Sequence, residues 1–238
     1  MKKMLFVLLM LVGIGAAQAQ ISGNLGMTTD YRFRGMSQTL NATALQGGVD
    51  YAHSSGFYVG NWNSSVSSEI YTKGAGIEND VYAGFKKEVA KGLTVDVGTY
   101  NYLYPRVQMP ANNSGIHEVY AAVGYGPVTV KYNRAISNYF GVNDSKGTQY
   151  LQADLSMPVP GVSKLSAVAH IGRTDVTNHS TLNYTDINIG AVYNLSGWDL
   201  GLRYYKNSSF GSLVKAANTV DGHSLWQNAM VVSVAKSF

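Results

Sequence analysis

The sequence predicts an all-β protein, a transmembrane antiparallel β-barrel of twelve strands with short periplasmic turns and longer outer loops. Three observations predict this fold. Segments of about ten residues alternate apolar with polar side chains, long and short connections follow one another in turn, and the chain ends on an aromatic residue, Phe238. The even number of strands places both ends of the barrel domain on the periplasmic side.

Strand length separates a membrane barrel from a soluble sandwich. A strand of about ten residues, at ~3.3 Å per residue and ~45° tilt, covers an apolar band of roughly 25 Å, whereas soluble strands usually have about five or six residues. Alternation alone does not separate the two folds, because a half-buried soluble sheet has the same period. The predicted strands span 21–33, 43–51, 57–66, 77–87, 93–102, 116–125, 128–136, 148–157, 164–172, 184–195, 198–207 and 225–238.

The N-terminus has the three parts of a secretory signal peptide. Two lysines supply the positive charge, a short apolar core follows, and the small-x-small cleavage site AQA ends at Ala19. We therefore expect a signal peptide over 1–19 and a barrel over 20–238, located in the cell outer membrane after cleavage. No later apolar run is long enough for a spanning helix, and only helices and closed barrels satisfy backbone polar groups in lipid.

The composition excludes several function classes. The chain has no cysteine, which excludes disulfides, thiol catalysis and cysteine-based zinc sites. The pI is about 9.1, but two lysines lie in the signal peptide and the other basic residues are scattered singly, so no nucleic-acid partner is predicted. Asp144 and Asp175 lack the spacing of a calcium loop, and the sequence predicts no cofactor and no metal.

The last predicted strand, 225–238, is expected to close the barrel against the first. Its apolar parity consists of Trp226, Met230, Val232, Val234 and Phe238. We expect Phe238 at the periplasmic interface, on the strand that the outer-membrane barrel assembly machinery engages. Lys236 shares the lipid-facing parity, so its ammonium group has to reach the headgroups at the barrel rim.

Several short motifs resemble the TorF-type porin family, which is also catalogued as a Gly- and Trp-containing bacterial family of unknown function. They are TDYRFRG at 29–35, SQ at 37–38, GGVDY at 47–51, GFYVGNW at 56–62 with Ser64, and YLYP at 102–105. The resemblance spans the mature chain and is concentrated in 21–105. It implies a porin-like outer-membrane barrel and no catalytic residues. From the barrel as a whole we expect passive diffusion of small hydrophilic solutes.

The polar parity of the strands predicts the lining of a lumen, because a barrel in lipid is apolar outside and polar inside. The acidic members are Asp30, Asp50, Glu78, Asp80, Asp96, Glu118, Asp154, Asp186 and Asp199. The basic members are Arg32, Arg34, Lys86, Lys131, Lys164 and Arg203, and His170 faces the same way. The acidic excess predicts a water-filled passage with a mild cation preference. An internal salt-bridge network that fills a narrow barrel is an equal alternative.

Two arginines of the predicted lumen have alternative interpretations. Arg32 and Arg34 are expected near the outer end of the first strand. They either form a constriction for anionic solutes or, as the sequence favours, pair with Asp30, Glu78 or Asp80 on neighbouring strands.

Aromatic residues near the strand ends predict an interfacial girdle, with the lipid bilayer and lipopolysaccharide as partners. The girdle residues are Tyr51, Tyr58, Trp62, Tyr125, Tyr193, Trp198 and Phe238. Other tyrosines face inward, where packing in the lumen is favoured over a sugar-binding ladder. These are Tyr82, Tyr100, Tyr120 and Tyr150.

Two other function classes stay open as alternatives to a channel. Some barrels carry a Ser/His/acid or Ser/His/Asn site on the lipid face, and His117 lies at the start of a strand. No nucleophile motif accompanies it, so the sequence predicts no enzyme such as a lipid hydrolase. A structural or adhesive barrel that binds through its outer loops is the second alternative, and the modest loop lengths disfavour it.

Overall fold

The computed structural model describes residues 20–70, 76–105, 115–208, 219–220 and 222–238. The signal peptide predicted over 1–19 lies outside these described residues. Within the described ranges, no helix is long and apolar enough to cross a membrane. Residues Ser180–Leu182 form a single turn of 3₁₀-helix.

Sixteen strands are present in the described part of the chain. In chain order they are β1 (Gln20–Thr28), β2 (Arg32–Phe33), β3 (Met36–Ser37), β4 (Ala44–Ala52), β5 (Phe57–Ser65), β6 (Ile77–Ala90), β7 (Leu93–Leu103), β8 (Gly115–Tyr125), β9 (Val128–Ala135), β10 (Gln149–Pro158), β11 (Leu165–Asp175), β12 (Tyr184–Leu195), β13 (Trp198–Ser208), β14 (Thr219–Val220), β15 (His223–Ser224) and β16 (Ala229–Ser237). The pairs β2–β3 and β14–β15 are separate two-stranded sheets, and the other twelve strands form one closed antiparallel barrel.

The predicted alternation of connections is confirmed. At the periplasmic end the barrel strands are joined by the short turns 53–56, 91–92, 126–127, 159–164 and 196–197. At the outer end the connections are longer and span 29–43, 66–76, 104–114, 136–148, 176–183 and 209–228. Each barrel strand therefore pairs with its neighbours in the chain, which is the simplest way to build a barrel.

The outer face of the barrel is apolar, the reverse of a soluble protein. Residues that are directly opposite in an antiparallel pair share a face, and the register places aliphatic side chains of successive strands side by side on the outside, as in Met27–Leu45 and Ile171–Ile187. These side chains are exposed, as lipid contact requires. They include Leu25, Leu45, Val49, Val59, Val97, Val119, Leu151, Ile171, Ile189, Leu202, Met230 and Val232.

The seam between β1 and β16 closes the barrel. Gly23 N–H donates to the Phe238 carbonyl at 2.7 Å, and Phe238 N–H donates to the Gly23 carbonyl at 2.9 Å. A Cβ at Gly23 would lie only 2.7 Å from Phe238 Cε2, so glycine leaves room for the terminal ring. Lys236 lies on the outer face beside Trp198, with its Nζ 5.3 Å from the ring centroid.

Both terminal strands are shorter than predicted. β1 ends at Thr28 instead of continuing to Phe33, and β16 begins at Ala229 instead of Leu225. After β1 the backbone enters the left-handed region at Arg34 and Gly35, a conformation that a strand cannot contain. The prediction that Arg32 and Arg34 lie on the first barrel strand is therefore wrong.

The prediction that Tyr58 and Trp62 face the lipid is also wrong. The Tyr58 hydroxyl donates to Asp96 Oδ1 at 2.7 Å, and the Trp62 ring packs edge-on against Tyr31, with 5.4 Å between centroids. Trp62 lies opposite the fully buried Asp80 in the β5–β6 register, so both point inward. β5 carries apolar residues on both parities, and local alternation therefore does not reveal its lipid-facing side.

Deletion of Phe238 tests the closing seam. Because the deletion removes both hydrogen bonds to Gly23 and the terminal ring, we expect the barrel to assemble poorly, whereas Phe238→Tyr keeps the backbone pair and the ring and should assemble normally. The measurement is the fraction of protein with heat-modifiable mobility in unboiled gels. Normal insertion of the truncated protein would contradict the proposed role of the seam.

Candidate functional site

The first outer connection, residues 29–43, folds into the barrel; we call it the inward loop. Its centre is Asp30, which is 5% exposed. Asp30 Oδ2 accepts a hydrogen bond from Arg32 Nε at 2.7 Å, and Oδ1 accepts from Ser37 Oγ at 2.7 Å and from Thr39 Oγ1 at 3.3 Å. A carboxylate with several donors is satisfied without water. The buried charge therefore ties the two ends of the loop together.

Arg34 spans the interior of the barrel. Its Nη2 donates to Glu118 Oε2 on β8 at 2.7 Å, and the two side chains are 5% and 1% exposed. The guanidinium carbon also lies 4.1 Å from the centroid of the Tyr150 ring on β10. A buried ion pair of this kind adds little net stability, because the desolvation of both charges offsets their attraction. Removal of one partner is strongly destabilising, because the other charge is then buried without compensation.

Gly35 lets the loop approach the opposite wall closely. Its backbone is left-handed, with φ of 78°, and its carbonyl accepts a hydrogen bond from Asn207 Nδ2 at 2.9 Å. A Cβ at this position would overlap the Asn207 side chain and crowd Asp186. On the other side of the loop, the Tyr31 hydroxyl donates to Glu78 Oε1 at 3.1 Å.

An aromatic and aliphatic cluster fills the outer end of the barrel. Phe33 packs edge-on against Tyr102 and Phe140, with centroids 5.1 Å and 5.6 Å apart. The buried members of the cluster are Val66, Tyr102, Tyr104, Ile116, Ala135, Tyr139 and Val176. The inward loop is thus held by apolar burial as well as by ion pairs.

His170 on β11 joins two acidic residues of neighbouring strands. Its Nδ1 is 2.6 Å from Asp154 Oδ1 and its Nε2 is 3.0 Å from Asp186 Oδ1. The Tyr150 hydroxyl donates to both Asp186 oxygens, at 3.2 Å and 3.1 Å. Within the described ranges, no group of three His, Cys, Asp or Glu side chains is arranged to hold a metal ion.

The periplasmic half of the interior is a network of tyrosines and aspartates. The Tyr82 hydroxyl donates to Asp50 Oδ1 at 2.6 Å, and Tyr58 and Tyr120 share Asp96. The rings of Tyr82 and Tyr100 stack with centroids 4.9 Å apart. These inward tyrosines hydrogen-bond to aspartates or pack on one another.

Several cavities lie inside the described barrel, and two of them adjoin Lys131. The smaller of these two, of about 200 Å³, lies under the inward loop. Its lining consists of Arg32, Phe33, Arg34, Gly35, Tyr102, Lys131, Asn133, Tyr150, Gln152, His170, Asp186, Asn188 and Tyr205. The larger one, of about 470 Å³, lies nearer the periplasmic end and is lined by residues that include Asp50, Tyr82, Lys86 and Asp96. Lys131 lines both cavities.

Other predicted lumen residues fall into two groups. Arg203 is inside, where its Nη1 donates to Asn188 Oδ1 at 2.7 Å. Asp199 and Lys164 are exposed at the periplasmic end, at the start of β13 and in the turn before β11. Without these two, the predicted lumen residues number eight acidic and five basic, and their role as a pore lining stays a prediction.

Five of the predicted girdle residues lie on the outer face near the periplasmic turns. They are Tyr51, Tyr125, Tyr193, Trp198 and Phe238, all exposed. Their contact with the membrane interface stays a prediction. The sequence interpretation missed Tyr31, Phe33 and Tyr205 as interior residues, since it assigned the first two to a spanning strand. Tyr205 lies two residues after the inward-facing Arg203 on β13, so the two-residue period of a strand could have placed it in the interior.

A family model described as a bacterial protein of unknown function, Gcw_chp, matches residues 14–238. The chain belongs to this family. Among curated proteins, nothing matches it. The inward loop of this Gcw_chp protein contains two of the motifs that suggested a family on sequence grounds, TDYRFRG and SQ.

Solved porin structures share the fold of the Gcw_chp protein at low sequence identity. The NanC porin is 9% identical with a TM-score of 0.57, over 92% of this chain and 99% of that chain. The KdgM porin, solved in complex with disordered oligogalacturonate, is 10% identical with a TM-score of 0.54, over 93% of this chain and 99% of that chain. The Gcw_chp protein thus shares the closed-barrel fold of these porins.

Substitution of Arg34 tests the pair that crosses the interior. Because Arg34→Met leaves Glu118 buried without its cation, we expect a loss of about 3–5 kcal/mol in the free energy of unfolding. The measurement is urea unfolding of protein refolded into lipid vesicles. In the matched control, Arg173→Met, an exposed ion pair with Asp175 is removed, and the expected loss is about 0–1 kcal/mol.

The double variant Arg34→Met/Glu118→Gln should recover part of the loss, because it removes the unpaired charge. Equal stability of the Arg34→Met and Arg173→Met variants would contradict a structural role for the buried pair.

Proposed function

We propose that the protein is an outer-membrane channel for passive diffusion of small hydrophilic solutes. The observation that carries the proposal is the interior of the closed barrel, where charged, polar and tyrosine side chains line cavities below the apolar cluster of the outer end. Twelve strands lie between the filled eight-stranded barrels and the open sixteen-stranded porins. A narrow, partly occupied lumen is what this strand number leads us to expect. The likeness of its motifs to TorF-type porins supports the same function.

The inward loop sets the size limit of the proposed passage. It occupies the outer half of the lumen with Arg32, Phe33 and Arg34, while the larger cavity lies on the periplasmic side. Solutes would have to pass beside the loop or require it to shift. We therefore expect a small conductance for the wild-type protein.

We also propose the mild cation preference that the acidic excess suggests. The lining of the periplasmic cavity contains two carboxylates and two ammonium groups, those of Asp50, Asp96, Lys86 and Lys131, whose charges balance. The acidic excess of the lumen therefore arises mainly from carboxylates nearer the outer end. Many of those carboxylates accept hydrogen bonds from tyrosines or pair with cations, which keeps the expected preference small.

A lipid-facing hydrolase is less well supported than a channel. His117 lies on the outer face, with its Nδ1 2.5 Å from Asn101 Oδ1. The hydrogen bonds of the described residues join no serine hydroxyl to the His117 ring, although Ser137 Oγ accepts a bond from the His117 backbone N–H at 3.0 Å. A histidine without a nucleophile supplies only part of such a site.

We further propose that the chain has a signal peptide over 1–19, that the barrel assembly machinery engages the strand that ends at Phe238, and that bilayer lipid and lipopolysaccharide contact the outer face. The exposed apolar wall and the aromatic residues near its periplasmic rim support contact with the lipid.

Replacement of the inward loop tests the channel. Thr28 and Ala44 are paired across β1 and β4, so a short Gly-Ser turn in place of 31–41 can join the strands without changing the barrel register. We expect a severalfold higher single-channel conductance in planar bilayers, because the loop no longer fills the outer half. Heat-modifiable mobility verifies that the variant is folded. No current from either folded protein would contradict the channel.

Neutralising the periplasmic cavity tests the ion preference. The double variant Asp50→Asn/Asp96→Asn removes two carboxylates but keeps acceptors for their tyrosine partners, so we expect the reversal potential in a KCl gradient to move toward anion selectivity. The control is Asp199→Asn, at an exposed position near the periplasmic rim, which should have a smaller effect. Anion preference of the wild-type protein would contradict the proposed selectivity and leave the channel itself intact.

A further inference from the structure

The outer face of β5, β6 and β7 carries asparagines among its aliphatic residues. Asn61 on β5 and Asn101 on β7 both lie opposite Val81 of β6, which is exposed on the outer face. Since directly opposite residues share a face, both asparagines point outward. Asn63, two residues after Asn61, points the same way and lies opposite Asn79. These four asparagines are called the amide patch.

The amide patch lies within the apolar band of the barrel wall. Along β5, Asn61 and Asn63 follow Phe57 at the periplasmic end by four and six residues. At ~3.3 Å per residue and ~45° tilt they lie about 9 and 14 Å above it, inside a band of roughly 25 Å. Exposed aliphatic residues border the patch toward both ends of the barrel. They are Leu45, Ile77 and Leu103 on the outer side and Val59, Val97 and Val119 on the periplasmic side.

Hydrogen bonds satisfy the amides of the patch only in part. Asn61 Nδ2 donates to Asn79 Oδ1 at 3.3 Å and to the Asp80 carbonyl at 2.8 Å. Asn63 Nδ2 donates to Asn61 Oδ1 at 2.6 Å, and Asn79 Nδ2 donates to Asn63 Oδ1. An amide nitrogen has two N–H groups, and the bonds among the described residues use one from each of Asn63, Asn79 and Asn101. An N–H without an acceptor is costly in hydrocarbon.

The opposite wall of the barrel is aliphatic at the same depth. Ile189 on β12 lies four residues from Tyr193 at the periplasmic end and is 64% exposed. Its outward neighbours at this level include Ala169 and Ile171 on β11. A wall that contacts only lipid gains nothing from amides, whereas polar side chains at membrane depth form contacts between protein segments. The amide patch is therefore suited to contact with protein.

A second copy of the chain is the partner that matches the patch. Copies that insert in the same direction and are related by a twofold axis along the membrane normal meet residue for residue at equal depth. Amides both donate and accept, so asparagines at one depth can pair with each other, whereas identical charges would repel. Gly47 on β4 lies beside Asn63 in the register, and a residue without a side chain lets two walls approach closely.

We propose that the amide patch is the interface through which two copies of this protein associate side by side in the membrane. The contact joins the asparagines of β5, β6 and β7 to those of the second copy and supplies acceptors for their remaining N–H groups. The interface rests on the proposed contact of the outer face with bilayer lipid. It does not depend on conduction through the lumen.

Oxidation of single-cysteine variants in lipid vesicles tests the surface directly, because the chain has no cysteine of its own. Asn61→Cys, Asn63→Cys and Asn79→Cys place a thiol in the patch, and the matched control Ile189→Cys places one at similar depth on the opposite wall. With copper-phenanthroline we expect disulfide-linked dimers from the patch variants and little from the control. No dimer from any patch variant, or as much dimer from the control, would overturn the proposal.

A change of the patch to an aliphatic wall tests the amides themselves. In the triple variant Asn61→Val/Asn63→Val/Asn79→Val, we expect self-association to weaken at least about tenfold, because the polar contacts between copies are lost. The measurement is energy transfer between copies labelled at Ser54→Cys, an exposed position in a periplasmic turn, over a range of protein-to-lipid ratios.

The matched control for the triple variant is Ile187→Val/Ile189→Val/Leu202→Val on the opposite wall, which should associate as the wild type does. Heat-modifiable mobility verifies folding. Asn101→Val, whose amide donates only to a backbone carbonyl, provides a milder variant with an expected severalfold loss. A monomeric wild-type protein, or equal association of the patch and control variants, would overturn the interface.

Planar-bilayer recordings and flotation with vesicles separate this proposal from those on which the channel and the lipid contact depend. Dimers that carry no current would retain the interface and contradict the channel, whereas current from a monomeric protein would retain the channel and contradict the interface. Folded protein that does not float with vesicles would contradict the lipid contact, and the interface with it.

Discussion

The pairing of β1 with β16 is the constraint on which the rest of the structure depends. In lipid, an unpaired strand edge would leave a row of backbone donors and acceptors without partners, at a cost of several kcal/mol each. The two hydrogen bonds between Gly23 and Phe238 begin the seam at the periplasmic end. Once the barrel is closed, alternate side chains face either the lipid or the interior, and this determines where polar residues lie.

Closure creates a second difficulty, because the interior then contains many charges in a confined space. The inward loop resolves part of it. Asp30 pairs with Arg32, and Arg34 pairs with Glu118, while Phe33 joins the aromatic cluster between them. This gives the TDYRFRG motif a physical account. Its charged residues form buried ion pairs within the loop and with β8, and its phenylalanine packs in the aromatic cluster. Its glycine adopts the left-handed backbone conformation beside Asn207.

The two interpretations of the lumen, an open passage and a filled salt-bridge network, describe different halves of one barrel. The outer half is filled by the inward loop and the apolar cluster, whereas the periplasmic half retains a cavity of about 470 Å³. Lys131 lies where the two halves meet. Its charge therefore faces both cavities, where it would act on a solute of the proposed channel.

Much of the fold could be predicted from the sequence by itself, because the two-residue period of a strand and the composition of turns are local properties. They determined the twelve strands, the alternation of short and long connections, and the inward direction of Asp50, Glu118 and Asp186. Only the tertiary structure decided where β1 ends and which way Tyr58 and Trp62 point, since their segments have apolar residues on both parities. It also decided that Arg34 meets Glu118, because partners 84 residues apart in the chain are brought together by the closed barrel and by no local pattern.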